Sequence, residues 1–529
     1  MNHNNKQIWL PVFLSISLII GMIFGYKLKD NMGDFSPHFG KSSNMYNKLN
    51  EILYLIDAKY VDSVSIDSLM QKTVEHLIAQ LDPHSSYIPA DQLAGLNEEL
   101  QGNYHGIGIQ FELIRDTVTI ISLIDGSPAF KTGLQIGDQI IKVDNLPVSG
   151  HKMKESQIKK VVRGKKGSKI ELAILRNRQP LNIALQRSNI ISSNIDAAYL
   201  MNPEIAYIRI SKFSGNAYEE FMEHLERLKS AGMKNLILDL RDNGGGMLDD
   251  AVQIADEFLD GTKEIVRTKG LHMPLQVYAA RRPGLFEQGK LVVLINENTA
   301  SASEVLAGAL QDWNRAVIIG RRTFGKGLVQ EQFTLSDGSA VRLTVAKYYT
   351  PLGRCIQKPY KNGGDSSYSE EIHHRVKDGE IFNKMKLNHH GKIIKTNDGR
   401  VLYSEEGISP DIFSPFDSTY WLIYDQNPTL NQMLTGIALA FYQRNLPDIK
   451  ALKDINQLPG LIRNDNKLAD DINDLPVNAV TKKNQFWHSM LTNEMENIVA
   501  WMIWKKEGYY KLYNQKDTII KTAISLMEK

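Results

Sequence analysis

Two residues in the second half of the chain have types and a spacing that could do chemistry together. Ser301 stands in Asn298-Thr299-Ala300-Ser301-Ala302-Ser303-Glu304, and Lys326 follows in the glycine-flanked run Phe324-Gly325-Lys326-Gly327. A serine hydroxyl attacks a carbonyl only when a base takes its proton, and an unprotonated amine can replace histidine as that base. A free lysine, with a pKa near ~10.4, holds its proton at neutral pH, so desolvation or nearby positive charge must lower it. Phe324, Val329 and the glycines make an apolar setting, and Arg321 and Arg322 are close in sequence. The bland alternative for Lys326 is a solvated lysine in a turn.

The elements around these residues must bring them together. Leu291 to Ile295 reads as a buried strand and Ala302 to Leu310 carries apolar residues at helical spacing, so Ser301 falls where the helix begins. A serine there has two roles open to it: capping free N–H groups, or attacking a substrate whose oxyanion the same helix end would favour. Thr299 and Ser303 are expected to be purely structural. A second apolar run, Asn235 to Leu240, leads into Gly244-Gly245-Gly246, which can bring N–H groups close to a ligand or simply close a tight turn. Further strands at Ala206 to Ile210 and Val317 to Ile319, with helices at Ala217 to Ser230 and Leu248 to Leu259, predict an α/β core. Asp337-Gly338 between two apolar runs predicts a hairpin.

Thr299 to Glu304 and Thr323-Phe324-Gly325-Lys326-Gly327-Leu328-Val329-Gln330 resemble the signature of the carboxyl-terminal processing peptidases, also called tail-specific proteases. Asp239-Leu240-Arg241-Asp242-Asn243-Gly244-Gly245-Gly246, Leu81-Asp82-Pro83-His84-Ser85-Ser86-Tyr87 and Gly407-Ile408-Ser409-Pro410-Asp411 match three more stretches of the same family, in the family's order. The resemblance implies that Ser301 is the nucleophile, Lys326 the general base and Gln330 the group that holds the amine. It also implies an oxyanion hole from the amides of Gly245 and Ala302, and catalysis through an acyl-enzyme with no metal or organic cofactor. The chain departs from the commonest form at Gly244, where proline is usual. Gly102 to Arg187 resembles a PDZ domain, with Gly106, Ile107, Gly108 and Ile109 expected to bind a substrate's terminal carboxylate while its tail adds as a strand. The family implies a preference for apolar C-termini.

Rival readings fare worse. No Gly-x-Ser-Gly-Gly nucleophile of the trypsin type is present. An inert PDZ scaffold would not need Ser301, Lys326 and Gln330 together, and a hydrolase of small thioesters would leave the PDZ-like segment without a purpose.

Composition sets the remaining bounds. A chain of 529 residues is too long for one core, its net charge of +2 gives no pull toward nucleic acid, and a single cysteine, Cys355, excludes an internal disulfide. The apolar run 8–26 is long enough to span a bilayer and lacks a small-residue cleavage site. It predicts an uncleaved signal anchor in the cytoplasmic (inner) membrane with an extracytoplasmic, periplasmic catalytic part; a cleaved signal peptide is the alternative. The expected architecture is multidomain α/β: a membrane helix at 1–30, N-terminal helices of the protease at 31–99, the β-rich α+β PDZ insertion at 100–187, the protease core at 188–415 and a helical extension at 416–529. Within that extension, Trp487, Leu491, Met495, Ile498 and Met502 form a helical stripe suited to a core or a homo-oligomer interface, and 464–484 reads as a polar linker. His373-His374 and His389-His390 sit in a polar segment without metal-site spacing, so no metal is expected.

Overall fold

The computed structural model describes residues 43–360, 367–386, 389, 391–396, 398–476 and 486–529. It divides into two units, residues 1–76 and 77–529. The described part of the first holds α1 (Ser43–Lys59) and the start of α2 (Ile66–Ala79). Leu49, Ile52, Leu53 and Ile56 recur at helical spacing in α1, but none of the four is buried. The expected span at 8–26 lies outside the described residues; among those described, no helix is long and apolar enough to cross a membrane.

The second unit begins with β1 (Ser86–Ile88), α3 (Ala90–Leu100) and β2 (Asn103–Gly106), which leads into the insertion. There β3 (Ile109–Ile114), β4 (Thr117–Leu123), α4 (Pro128–Lys131), β5 (Gln139–Val143), β6 (Leu146–Pro147), α5 (Glu155–Val162), β7 (Lys169–Arg176) and β8 (Gln179–Gln186) follow. The chain leaves through β9 (Ser188–Ile191), which pairs antiparallel with β2 and so closes the neck of the insertion. Its sheet runs β3-β4-β5-β7-β8, with β6 on β5. Alternate residues Ile170, Leu172 and Ile174 point into one core with Val118, Ile120 and Ile158, the period-two pattern of a sheet with one face inside.

The α/β core contains β10 (Ile195–Leu200), β11 (Ile205–Ile210), α6 (Ala217–Ser230), β12 (Asn235–Asp239), α7 (Leu248–Asp256), β13 (Glu264–Lys269), β14 (Gln276–Ala279), β15 (Leu291–Ile295), α8 (Ala302–Asp312), β16 (Val317–Gly320), β17 (Leu328–Thr334) and β18 (Ala340–Tyr349). After these come α9 (Ser367–Lys377), the hairpin of β19 (Ile393–Lys395) and β20 (Val401–Tyr403), and β21 (Ile412–Phe413). The main sheet runs β10-β11-β12-β15-β16-β21 and is parallel except at β10. A second sheet runs β1-β18-β13-β14, with β17 completing the expected hairpin on β18.

Both faces of the main sheet are covered, as a parallel sheet requires. Ala206, Ile208 and Ile210 of β11 pack toward α6, α7 and α8, while Ile205 and Tyr207 face the opposite side. That side is covered from the far end of the chain. The C-terminal region comprises α10 (Ser418–Gln426), α11 (Leu430–Arg444), α12 (Leu446–Ala451), α13 (Leu458–Arg463), α14 (Asn466–Asn473), α15 (Trp487–Lys516) and α16 (Thr518–Met527). Ile519, Ile520, Ala523 and Met527 of α16 bury themselves against Tyr207, Ile237, Val292 and Leu294. Trp487, Leu491, Met495 and Met502 lie in an intrachain core with α11 and α13, which also takes in Ile121 of β4. Part of the expected linker is helix: α14 buries Leu468 and Ile472, and residues 477–485 lie outside the described residues.

The backbone of α15 is kinked at Trp504 and Lys505, the latter at φ 61°. The kink points Lys505 at the sheet of the insertion, where its amine donates to the Leu123 carbonyl at 2.7 Å. Because α16 closes the second face of the sheet, Ile520→Ala should cost about 2–5 kcal/mol, the range for emptying a buried aliphatic site. A fall in the urea unfolding midpoint measures it.

Candidate active site

Ser301 is held by the turn between β15 and α8. It is buried at 7% exposure and adopts φ 58°, ψ −118°, a conformation that strains a residue bearing a Cβ. The flanking side chains fix that turn as structural groups. Thr299 Oγ1 donates to the Leu240 carbonyl at 2.8 Å and Ser303 Oγ to the Asn243 carbonyl at 3.0 Å. The Ala300 N–H also reaches the Asn243 carbonyl, at 2.9 Å. The serine turn is thereby stitched to the end of β12.

Glu304, at the third position of α8, is fully buried and joins the serine to the lysine loop. Its Oε2 accepts the backbone N–H of Ser301 and that of Lys326, each at 2.8 Å, so the two nitrogens lie within twice that distance of each other. Its Oε1 accepts the Gly325 N–H at 2.8 Å and the Thr323 hydroxyl. Burial pushes this carboxyl up to about 7, against hydrogen bonds that favour the charged form. From the other side, Gln357 Oε1 accepts the Gly327 N–H at 2.8 Å and the Lys358 N–H donates to the Gly325 carbonyl at 3.0 Å.

Lys326 is half-buried. Desolvation first, and the charge of Arg342 second, lower its pKa. The sequence pointed instead to Arg321 and Arg322, but these are ion-paired with Glu297 and with Glu380 and Glu371. Gln330 reaches the site from β17 and donates to Thr344 Oγ1 at 3.4 Å, rather than showing a bond to the amine. Thr344 in turn donates to Asp82 at 3.0 Å. Burial acts to raise the Asp82 carboxyl, yet hydrogen bonds from Ser85, His84 and Thr344 hold it below its ordinary value. His84 is pushed down to about 4 by burial and by the Lys326 charge, and its Nε2 contacts Tyr368 Oη at 2.8 Å. Asp82, His84, Glu304 and Arg342 are the neighbours that sequence reasoning did not assign; three of them lay inside motifs already quoted.

The glycine turn packs directly on the serine. A Cβ on Gly245, which has φ +96°, would sit 2.7 Å from Ala300 O and 2.7 Å from Ser301 Cβ, so only glycine fits. The Gly245 N–H, expected to face the oxyanion, donates to Asn243 Oδ1 at 2.9 Å. Ala302 is the first residue of α8, where an N–H has no partner within the helix. Behind the turn, Asp239 is fully buried. Burial raises its carboxyl, but Arg241 and Arg209 override that and hold it far below the usual range.

The four residues expected to bind a tail form a buried junction that runs from the last residue of β2, Gly106, to the first of β3, Ile109. Gly108 has φ +79°, and a Cβ there would lie 2.2 Å from Ser127 Cβ. Its carbonyl accepts the Ile124 N–H at 3.0 Å, while the Ile107 carbonyl accepts that of Ala129 at 2.9 Å. Strand β3 that follows is an edge of its sheet, able to accept an added strand. Among the described residues no group of three or more His, Cys, Asp or Glu is placed to hold a metal. His389 pairs with Glu406 and stacks on Tyr403, and His390 lies outside the described residues.

Comparison with known proteins matches residues 204–363 to the model of peptidase family S41 and residues 106–186 to that of the PDZ domain. A carboxy-terminal-processing protease of Bartonella bacilliformis is 34% identical over 356 residues, covering 65% of this chain and 78% of that protein. The carboxy-terminal processing protease CtpA of Bacillus subtilis is 34% identical over 329 residues, 62% of this chain and 69% of that one. Among solved structures, a photosystem II D1 C-terminal processing protease aligns at 26% identity over 70% of this chain and 94% of its own, with a TM-score of 0.37.

Glu304→Gln would turn an amide N–H₂ toward N–H donors that now share a carboxylate. Losing charge-assisted bonds at a buried site should cost about 3 kcal/mol. Thermal unfolding should show the loss, together with a lowered kcat because the serine and lysine backbones are no longer tied.

Proposed function

The chain belongs to the carboxy-terminal-processing proteases of peptidase family S41, and from that membership we propose that it is a serine endopeptidase working through Ser301 and Lys326. The observation that carries the reading is the shared carboxylate: Ser301 and Lys326 donate their backbone N–H groups to the same Glu304 oxygen. Lys326, whose pKa is lowered by desolvation and then by the charge of Arg342, in its unprotonated form takes the proton of Ser301 Oγ as that oxygen attacks the peptide carbonyl. The N–H of Ala302, first in α8, stabilises the oxyanion, and the Gly245 N–H joins it by leaving Asn243 Oδ1. On collapse, the C–N bond breaks and Lys326 returns the proton to the leaving amine. Water then gives a proton to Lys326 as its oxygen attacks the acyl-enzyme; the C–Oγ ester bond breaks, Lys326 returns that proton to Ser301 Oγ, and the new carboxylic acid leaves. Gln330, Thr344 and Asp82 form the polar wall beside the amine.

The PDZ domain supplies the recognition step: a substrate with a free C-terminal tail places its carboxylate at Gly106 to Ile109 and adds along β3. Residues 8–26 anchor the protein in the cytoplasmic membrane, with the catalytic part on the extracytoplasmic side; their apolar composition supports this.

Protein lacking residues 1–30 should cut an unfolded substrate that ends in a free apolar tail, and Ser301→Ala and Lys326→Ala should each lower kcat by about 10⁴-fold. Normal cleavage by either variant sinks the dyad. An amidated tail should raise KM; equal KM would remove carboxylate capture.

The pH profile offers a second check. The base works unprotonated, so kcat/KM rises with pH through the Lys326 pKa, at a midpoint below the ~10.4 of a free lysine. Arg342→Ala removes a positive neighbour, which should raise that pKa and move the midpoint to higher pH.

A further inference from the structure

The C-terminal helices meet the oxyanion turn at one buried point. Arg241 spends Nε and Nη2 on Asp239, while its Nη1 donates to Asp517 Oδ2 at 2.6 Å. Both side chains of this last pair are nearly closed to solvent, at 8% and 5% exposure. Asp517 occupies the junction of α15 and α16, where its other oxygen caps the second helix by accepting the Ile519 N–H at 2.8 Å. About two turns earlier in α15, Tyr510 lies 4.7 Å from the Arg209 guanidinium, which bonds Asp239 at 3.1 Å and Asp242 at 3.2 Å. The two arginines that hold the end of β12 are therefore both gripped by the C-terminal helix.

We infer that Asp517 is a positioning residue for catalysis: its carboxylate fixes Arg241, and through Arg241 the turn that faces the oxyanion. The route is short. Arg241 is followed by Asp242, held at φ 61°, and then by Asn243. Asn243 accepts the Ala300 N–H through its carbonyl at 2.9 Å and the Gly245 N–H through its side chain at 2.9 Å. A guanidinium with three groups on acceptors from two segments has one orientation; with Asp239 alone it can pivot about that carboxylate. Movement of the Arg241 backbone would carry Asn243 with it, and Asn243 sets both sides of the oxyanion site. The inference rests on the serine–lysine reading above.

The test uses the full chain with Asp517→Asn, which keeps a side chain able to cap α16 and removes only the charge. The expected result is a kcat lowered about tenfold or more, since small displacements of catalytic groups cost rates of that order, with KM for a tail-bearing substrate unchanged within about twofold. Asp517→Glu, which keeps the charge but displaces it, should lie between. Ile520→Ala serves as the structural control: it loosens the same helix without touching Arg241, so it should lower the unfolding midpoint and leave kcat unchanged at temperatures where it is folded. Wild-type kcat in Asp517→Asn, with Ser301→Ala inactive, overturns the inference, as does an equal loss of kcat in Ile520→Ala. If the Asn variant does not fold, a wild-type kcat in Asp517→Glu overturns it. Cleavage by Ser301→Ala would instead remove the dyad, a distinct outcome.

Discussion

The carboxylate of Glu304 is the constraint around which the catalytic segments are arranged. It is cut off from water and accepts from Ser301, Thr323, Gly325 and Lys326, so two loops distant in sequence become one unit through a single side chain. An unpaired carboxyl at that depth would be costly, which makes each donor obligatory. The same demand explains the late Gly-Ile-Ser-Pro-Asp stretch. The Ile408 N–H donates to Thr323 Oγ1 at 2.7 Å, and a Cβ on Gly407 would lie 2.6 Å from that oxygen and 3.0 Å from Glu304 Oε1. Three residues after Ile408, Asp411 accepts the Ile318 N–H at 2.8 Å and docks the segment near the start of β16. A motif far from the nucleophile in sequence thus closes the pocket around its anchor.

Much of this was legible from residue order because the signals are local. Strand and helix periods placed Ser301 at the start of α8, the glycine run marked a turn that only a residue without a side chain can make, and Asp337-Gly338 located the hairpin that carries Gln330. What the sequence hid was partnership. Arg321 and Arg322 stand close to Lys326 along the chain but are consumed by acidic partners, whereas Arg342, across the hairpin, supplies the positive field. His84 sat in a recognised stretch with no visible task until folding placed it beside Lys326 and against Tyr368. The N–H of Gly245 is a similar case: its position follows from sequence, but its bond to Asn243 follows from the shape of the turn.

The C-terminal helices were the least legible part, for a physical reason. An amphipathic stripe says that a helix is covered, and nothing in Trp487 to Met502 says by what. The answer lies in β11, whose residues alternate between two cores: one face is satisfied by α6 to α8, which are close in sequence, while the other waits for α16 at the end of the chain. A sheet buried on both faces cannot be completed by the central segment alone, so the extension is part of the catalytic core's packing.

Serving both that sheet and the PDZ sheet is more than one straight helix can do. The first half of α15 packs with α11 against the outer side of β4, and the second half brings Tyr510 and Asp517 to the arginines behind the glycine turn. The change of direction falls at Trp504 and Lys505, where the backbone leaves helical φ/ψ and Lys505 adopts a positive φ. Such a conformation costs about 1–3 kcal/mol in a residue with a side chain and persists only where contacts on both sides hold it. Here those contacts are identifiable: the Lys505 amine is seated on the Leu123 carbonyl, and Lys506 beside it pairs with Asp196 at 2.6 Å. Leu123 is the register partner of Ile109 at the start of the edge strand, so the strained point of the helix bears on the strand that follows Gly106 to Gly108, proposed to take the tail. One helix therefore touches, at its kink and at its end, the two places where a bound tail and a scissile carbonyl would be held.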